Sequence, residues 1–421
     1  MITDFSELLP PMLFGEDLKA ALQVMPEYDG SIRGADAGKR LLCLSEIYRV
    51  FVPNTMAYEI YHRLYSMAAM SLKKKGTAES VRLLNSVCQN LEKAGAEGDS
   101  AAGMYKGVAT GMTSAACIGV SGIGKTTCIQ AAVSLCGGTV EAGAPYRKII
   151  PVVEVSCPFN CSFRSLCSQI LARIDECLGT GYYEKSLKRS INAEQVMQMV
   201  CNLANIHIGV LVIDEIQMIV GSRSGSQLYR MILQMINSSN ICVLMCGTPE
   251  CIPFFGQNPQ MARRTAGLQY GPMPYDENFR EFCSILFSYQ YVQKRSQMSD
   301  GILEWLYEHS GAIPGTVMAL IHDAQEIAIL GGKEELCIAT LNEAYDKRMQ
   351  MLHPYISPGI RADKKYAPSK GRAGDTCGLG TGVNDTSIGI DIPALADSAK
   401  NQGQDIVTAL GGYIPIKEVL L

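Results

Sequence analysis

A glycine-rich loop between an apolar run and a helical pattern restricts this chain to a small set of folds. Residues 115–127 read Ala-Ala-Cys-Ile-Gly-Val-Ser-Gly-Ile-Gly-Lys-Thr-Thr, and apolar residues follow at helical spacing. A strand, a Gly-x-x-x-x-Gly-Lys-Thr loop and a helix form the context in which backbone amides wrap around a polyphosphate. A glycine turn that matched by chance would not explain the Lys-Thr pair at the required offset. The sequence therefore predicts a site for a nucleoside triphosphate.

The residue types in this loop divide the work of binding. Lys125 can reach the β- and γ-phosphates of ATP, and the Thr126 hydroxyl can bind Mg²⁺. The glycines let the backbone N–H groups face the phosphates. The predicted nucleotide-binding residues are Gly119, Ser121, Gly122, Gly124, Lys125, Thr126 and Thr127.

A second motif supplies the acids that a hydrolytic site needs. The continuous apolar run from Ile208 to Ile213 ends in Asp214 and Glu215, as buried strands of parallel sheets do at a phosphoryl-transfer site. We expect Asp214 to hold Mg²⁺ and Glu215 to activate the attacking water. Thr248 ends a later apolar run and fits a polar sensor of the γ-phosphate, although a turn residue before a proline is the alternative.

Arg263 and Arg264 follow that strand and could complete the site of a neighbouring subunit. A solvated surface pair is about as consistent with their spacing. In the following helical region, the position where a lid arginine often contacts the nucleotide offers Thr316 instead.

The order of elements predicts an α/β fold with a parallel sheet and a C-terminal helical lid. Apolar strands at 115–119, 148–156, 208–214 and 241–246 alternate with helical patterns, and helices at 279–293, 299–309, 314–330 and 333–352 follow. Residues 1–50 give no clear signal, and a lysine cluster at 73–75 is expected to end a helix in solvent. The predicted domains are an N-terminal helical extension (1–95), a nucleotide-binding domain (96–275), a helical lid (276–355) and a tail with a possible docking element (356–421).

Composition excludes several classes of protein. With 47% hydrophobic and 19% charged residues, the chain of 421 residues can build more than one core. No apolar run approaches a bilayer span, and the start of the chain lacks the basic residues of a secretory signal. Its 16 cysteines lack regular pairing, which favours the cytoplasm, and the Cys157/Cys161 spacing has no second pair for zinc. A net charge of −4 means that any DNA-binding surface must be a local patch.

Several segments together resemble a known family: the AAA+ ATPases TnsC and TniB of TnsABC–TniQ-type DNA transposons, including CRISPR-associated ones. The resemblance covers about residues 51–358. It rests on the loop at 118–126, Cys157-Pro158, the stretch 178–182, the run His207–Gln217, Cys246–Pro249, Ala262–Arg264 and the lid sequence Phe287–Tyr291.

The resemblance implies an ATP-dependent matchmaker. Family members form rings or filaments on duplex DNA, receive a TniQ- or TnsD-like target selector and recruit a TnsA/TnsB-like transposase, and hydrolysis disassembles the polymer. It implies Arg263 or Arg264 as the finger acting on a neighbour, and a nucleoid-associated protein of the cytoplasm. It also implies DNA contacts near the second strand and the following helix, where the basic residues are Arg147, Lys148, Arg164, Arg173, Lys185, Lys188 and Arg189.

Other functions share these motifs. A signalling NTPase would oligomerise without DNA, and a replication initiator or helicase loader would carry an appended helix-turn-helix domain. ATP-dependent, salt-sensitive DNA binding separates the first of these from the transposition regulator. A small-molecule kinase is less consistent with the sequence, because no acceptor pocket is legible.

Overall fold

The computed structural model describes residues 4–77, 114–143, 147–158, 162–188, 190–220, 232, 234–236, 241–256 and 267–356. The strands are β1 Ala115–Gly119, β2 Val140–Gly143, β3 Arg147–Ser156, β4 Ile208–Asp214, β5 Cys242–Gly247 and β6 Leu268–Tyr270. The helices before and within the sheet region are α1 Gly15–Leu22, α2 Ala37–Leu44, α3 Thr55–Lys75, α4 Lys125–Leu135, α5 Phe163–Leu178, α6 Tyr182–Ser186, α7 Ala193–His207, α8 Gln217–Val220 and α9 Ile252–Gly256. The lid helices are α10 Glu277–Ser288, α11 Asp300–Ser310, α12 Pro314–Leu330 and α13 Ile338–Arg348.

The sheet has the order β2-β3-β4-β5-β1-β6, and its pairings are parallel except that between β2 and β3. Strand β5 therefore lies between β1, which leads into the glycine loop, and β4, which ends at Asp214. Because parallel strands end at the same edge, the loop, the two acids and Thr248 meet there.

Both faces of the sheet are covered, which explains why its strands are apolar on both sides. One face packs against α5 and α7. The other packs against α3 and α4. Strands β4 and β5 are buried along their whole length, as the continuous apolar runs predicted.

The N-terminal segment divides between the sheet and the lid. Phe5, Leu18 and Leu22 join the core under the sheet, together with α3. Leu44 and Ile47 belong instead to the core of the helical lid. The described part of the predicted N-terminal extension thus builds no separate core, and its predicted boundary near residue 95 lies outside the described residues.

One buried ion pair fixes the N-terminal segment to the lid. The Arg40 guanidinium donates to both carboxylate oxygens of Glu334, at 2.6 and 2.7 Å, and to the Tyr291 carbonyl at 3.0 Å. Its side chain is 2% exposed. Arg40 holds the pKa of the Glu334 carboxyl below its usual value, through the hydrogen bond above all.

Several elements differ from the sequence predictions. Strands β2 and β6 were not predicted, because each is short and only four or three residues long. The first lid helix ends at Ser288 rather than 293, and the last begins at Ile338 rather than 333. The predicted strand and helix bounds at 148–156 and 314–330 agree within one residue. Among the described residues, no helix is long and apolar enough to cross a bilayer.

The prediction that the lysine cluster at 73–75 lies in solvent is wrong for its last member. Helix α3 does end there, but the Lys75 side chain is 4% exposed. Its ammonium donates to the carbonyl oxygens of Ala204, at 3.2 Å, and Asn205 at the end of α7. The Ala204 carbonyl oxygen also accepts the Ile208 N–H. The carbonyl end of a helix carries partial negative charge and attracts a cation.

Candidate nucleotide-binding site

The glycine loop has the backbone geometry that the motif requires. Gly122 and Gly124 have φ of +82° and +93°, a backbone region that residues other than glycine rarely adopt. Helix α4 begins at Lys125, directly after Gly124, so its first amides and its positive end face the loop. At Gly119 a Cβ atom would overlap the Ile123 side chain and lie 3.1 Å from the Tyr270 carbonyl oxygen. The loop is therefore shaped to hold an anion.

Two predicted ligands of the nucleotide and its metal lie together. The Thr126 hydroxyl donates to Asp214 Oδ2 at 2.7 Å, although the two residues are 88 positions apart in the chain. The Asp214 side chain is 1% exposed, and its other oxygen accepts the backbone N–H of Glu215 at 2.8 Å. Lys125, 8% exposed, donates to the carbonyl oxygens of Gly119 and Val120 at 2.8 and 3.0 Å. Its ammonium thus lies within the loop.

Glu215 occupies an unusual backbone conformation beside these groups. Its φ is +57°, which is uncommon for a residue with a side chain and persists only when the surroundings impose it. Its carboxylate accepts a hydrogen bond from the Gln217 side-chain amide. The Thr248 backbone N–H donates to the other end of that amide at 3.2 Å, and the Thr248 hydroxyl donates to Glu250 at 3.2 Å.

The loop opens into a cavity of about 350 Å³ that three parts of the chain build. Such a volume lies within the usual range of small-molecule sites. The sheet domain contributes the glycine loop, Thr127, Cys128 and Glu215. The other lining residues are Tyr48 and Val50–Asn54 from the N-terminal segment, and Met273, Asn278, Glu281, Phe282, Pro314, Gly315 and Met318 from the lid region. The phosphate end is therefore polar, whereas Val50, Phe51, Val52, Phe282 and Met318 offer an apolar surface for a base.

The lid contacts the glycine loop through backbone atoms. The Gly315 N–H donates to the Gly122 carbonyl oxygen at 3.0 Å. A side chain at either position would be crowded: a Cβ on Gly315 would lie 3.0 Å from the Gly122 oxygen, and one on Gly122 would lie 3.0 Å from Ile313 Cγ2. Helix α12 begins at Pro314, so its positive end faces the same cavity. Among the described residues that line the cavity, Lys125 is the one cation, and Thr316 is buried in the lid.

The predicted site residues that remain fall in three groups. Arg263, Arg264 and Arg189 lie outside the described residues, as does the Arg147 side chain. Arg164 donates to the carbonyl oxygens of Ser186 and Lys188, at 2.8 and 3.0 Å, so it joins α5 to the end of α6. The more accessible predicted DNA contacts are Lys185, Lys188 and Arg173. The Lys185 ammonium lies 4.9 Å from the centre of the Tyr182 ring, and Arg173 pairs with Glu176. Lys148, by contrast, is half-buried.

The donor set fits Mg²⁺ bound with a nucleotide. Mg²⁺ prefers oxygen ligands and is usually held by one or two carboxylates together with substrate phosphates. The Thr126 hydroxyl and the Asp214 carboxylate supply adjacent oxygens at the mouth of an anion-binding loop. Cys157, by contrast, is a buried free thiol.

Residues that line the cavity were partly missed by the sequence reasoning. No sequence pattern placed Val50–Asn54 at the site, and in the structure Asn54 also caps α3. No sequence pattern assigned Tyr48 or Gly315 to the site. The sequence reasoning assigned no role to Gln217. Its position two residues after Glu215, in the same motif, was the feature that could have pointed to the site.

Comparisons with solved structures give weak overall similarities. The structure of the Aeropyrum pernix ORC1 protein in complex with DNA is 14% identical and covers 63% of this chain and 64% of that chain, with a TM-score of 0.40. The Thermotoga maritima RuvB Holliday junction branch migration motor is 14% identical and covers 78% of this chain and 83% of that chain, with a TM-score of 0.34. The chain spans just under two thirds of the Aeropyrum pernix ORC1 and ORC2 proteins, at 64% and 66% of their lengths. No curated protein matches the sequence.

The fold and the site define the class of protein. A parallel sheet, a glycine loop leading into α4 and a helical lid over the loop make the chain an α/β P-loop protein, and the predicted α/β fold with a parallel sheet core and a helical lid is confirmed. Residues 102–270 match the family described as TniB, bacterial TniB protein. The predicted resemblance to that family is confirmed over this segment, which contains the glycine loop, both acids and Thr248.

Proposed function

We propose that this protein is an ATP-hydrolysing regulator of DNA transposition that assembles on duplex DNA. The observation that carries the proposal is the meeting of Thr126, Asp214 and Glu215 at the glycine loop, within the segment that matches the TniB family. ATP binds with its phosphates in the loop and its base against the apolar part of the cavity. Thr126 and Asp214 would hold Mg²⁺, which would supply positive charge against the phosphates.

The remaining roles follow from position. Lys125 stabilises negative charge on the β- and γ-phosphates, because it is the one cation among the described residues that line the cavity. Glu215 orients the attacking water and accepts its proton. Thr248, at the end of β5, senses the γ-phosphate. Positioning and charge neutralisation provide most of the rate in phosphoryl transfer, so each of these groups has to be in place.

We assign the partners by the same proposal. The protein assembles with its own copies on duplex DNA, receives a TniQ- or TnsD-like selector and recruits a TnsA/TnsB-like transposase. The DNA-facing residues come from Arg147, Lys148, Arg164, Arg173, Lys185, Lys188 and Arg189. Of these, Lys185 and Lys188 are exposed on and after α6, while Arg164 already holds α6 in place.

Two substitutions separate nucleotide binding from hydrolysis. Lys125→Ala removes the cation of the loop and should lose ATP affinity, whereas Glu215→Gln should bind ATP and barely hydrolyse it. Loss of a catalytic base of this kind typically costs about 10²- to 10⁴-fold in rate. Glu215→Gln should therefore trap ATP-dependent assemblies on DNA, seen by sedimentation with duplex DNA, and Lys125→Ala should form none.

Salt dependence distinguishes the proposal from a signalling NTPase. Assembly through phosphate contacts should weaken steeply as the salt concentration rises, across unrelated DNA sequences. ATP hydrolysis at the parental rate by Glu215→Gln would refute the assignment of Glu215 as the catalytic base. ATP-dependent oligomers that form equally well with and without DNA would instead support the signalling NTPase.

A further inference from the structure

The Gln217 side chain bridges two parts of the candidate site that lie on different strands. It is the first residue of α8, two positions after Glu215. The Thr248 backbone N–H donates to Gln217 Oε1 at 3.2 Å, and Gln217 Nε2 donates to the Glu215 carboxylate. A backbone N–H can only donate, so the amide oxygen must face Thr248 and the amide NH₂ must face Glu215. The bridge therefore has one orientation.

The surroundings are built to accept this side chain. At Gly247 a Cβ atom would lie 2.9 Å from Gln217 Oε1 and 2.8 Å from Ile216 Cγ2, so any side chain there would displace the bridge. The Ile216 backbone N–H donates to the Cys246 carbonyl oxygen at 2.9 Å, which ties the same turn to β5 a second time.

The position of the Glu215 carboxylate is the feature that the bridge explains. The Glu215 φ of +57° is held by hydrogen bonds on either side, from its own N–H to the Asp214 carboxylate and from the Met218 N–H to its carbonyl oxygen at 3.0 Å. The strained turn fixes where the side chain starts, and the Gln217 amide fixes where the carboxylate ends. A general base has to be held within hydrogen-bonding reach of the water it activates, so a fixed carboxylate is a requirement of the chemistry.

We propose that Gln217 is a positioning residue that holds the Glu215 carboxylate and couples it to the end of β5 at Thr248. The inference rests on the proposed function, because it assigns Gln217 to the hydrolysis of ATP. If Thr248 moves toward or away from the γ-phosphate, its N–H moves the Gln217 amide. Because that amide is rigid, the Glu215 carboxylate moves with it. In this role Gln217 touches neither the nucleotide nor the water and acts through Glu215.

The test compares three glutamine substitutions by steady-state ATP hydrolysis on DNA and by equilibrium ATP binding. Gln217→Met keeps similar volume without either hydrogen bond. Gln217→Glu keeps an acceptor for Thr248 but loses the donor and faces Glu215 with a like charge. Gln198→Met is the matched control, because Gln198 is also half-buried, bonds one side chain and lies on α7 away from the cavity.

We expect Gln217→Met and Gln217→Glu to lower kcat by about tenfold or more while the Kd for ATP changes less than about threefold. Gln198→Met should match the parental protein. Because Gln217 acts through Glu215, adding Gln217→Met to Glu215→Gln should slow hydrolysis no further, which a general structural defect would not reproduce.

The outcomes separate this inference from the proposed function. Hydrolysis by the parental protein, together with an unchanged or raised kcat in Gln217→Met, overturns the role of Gln217 alone. Additive losses in the double variant overturn it too. No turnover by the parental protein on DNA overturns the proposed function and the role of Gln217 with it.

Discussion

At the scale of single residues, Lys75 shows how a charged side chain can become part of a core. Its side chain is buried, and its ammonium bonds two carbonyl oxygens at the end of α7. Burial lowers the pKa of the Lys75 ammonium to about 7. Burial also lowers the pKa of His207 nearby, the Lys75 charge adding to this effect. Burial disfavours the charged form of each group, and the helix end compensates Lys75 only in part.

Lys75 should make folding stability depend on pH in a defined window. Its folded-state pKa of about 7 lies below the ordinary value of 10.5, so the unfolded chain binds more protons between these pH values. Stability should therefore rise with pH across this window, by at most about 1.4 kcal/mol per pH unit for one proton. Urea unfolding of the parental protein and Lys75→Met at pH 7.5 and 9.5 gives the difference in free energy, from which contributions shared by both proteins cancel.

Lys73→Met is the matched control, because Lys73 lies in the same turn of α3 and is exposed. Its difference from the parental protein should stay constant over the same pH range. Parallel curves for Lys75→Met as well would show that Lys75 keeps its ordinary titration in the folded protein.

The cysteines show the same principle in thiols. Burial raises the pKa of Cys128 and Cys136 to about 12, so these thiols stay protonated and poorly nucleophilic. Both pack in the core between α3, α4 and the sheet. These two thiols therefore act as small apolar side chains.

At the scale of elements, the sequence predicted what depends on local pattern and missed what depends on distant contacts. The apolar runs of β1, β4 and β5 are visible because both sheet faces are covered. The capping box at Asn192 and Gln195, with bonds of 2.8 Å in each direction, is likewise local, because it depends on two residues three positions apart. Strand β6 was not visible in the sequence, since three residues carry no period and pairing with β1 is what makes them a strand.

The start of the lid helix α12 is a second element whose role depends on a distant contact. The Gly315 N–H bonds the Gly122 carbonyl oxygen at 3.0 Å, and no sequence pattern links these two glycines. Gly315→Val should push the helix away from the loop, because a Cβ would already lie 3.0 Å from that oxygen. Loss of this bond should weaken ATP binding by about 1 kcal/mol, or about fivefold in Kd.

Gly301→Val is the matched control for the lid contact. Gly301 is likewise the second residue of a helix, and its Cβ would meet nothing closer than 3.9 Å. Isothermal titration with ATP should give a parental Kd for this variant. Equal affinities for Gly315→Val and Gly301→Val would show that the contact between lid and loop does not support nucleotide binding.

At the scale of the whole described molecule, three separated stretches of sequence meet at one cavity. The N-terminal segment reaches it between the two cores that it joins: α3 packs under the sheet, and Leu44 and Ile47 pack in the lid. The sequence could not reveal this, because residues 1–50 carry no motif and their helices are short. The acids and the loop were predictable because their chemistry demands particular residue types at fixed spacing.

The proposed function predicts that a neighbouring subunit completes the charge at this cavity. Lys125 is the one cation among the described lining residues, while phosphoryl transfer develops negative charge that a second cation commonly stabilises. Arg263 and Arg264, the proposed finger, lie within the segment that matches the TniB family and outside the described residues. A monomer should therefore hydrolyse ATP poorly, and activity should rise with protein concentration and with DNA that templates assembly.

Mixing two inactive variants tests whether the arginines act between subunits. Lys125→Ala keeps the arginines but lacks the loop cation, and Arg263→Ala/Arg264→Ala keeps the loop. In a mixed assembly on DNA, some interfaces pair an intact loop with intact arginines, so the mixture should recover ATP hydrolysis that neither variant shows alone. Glu215→Gln mixed with Lys125→Ala is the control. In this mixture every subunit with an intact loop lacks the Glu215 carboxylate, so no interface is complete and activity should stay low. A mixture that co-assembles on DNA, as seen by sedimentation, yet stays inactive would rule out a finger acting in trans.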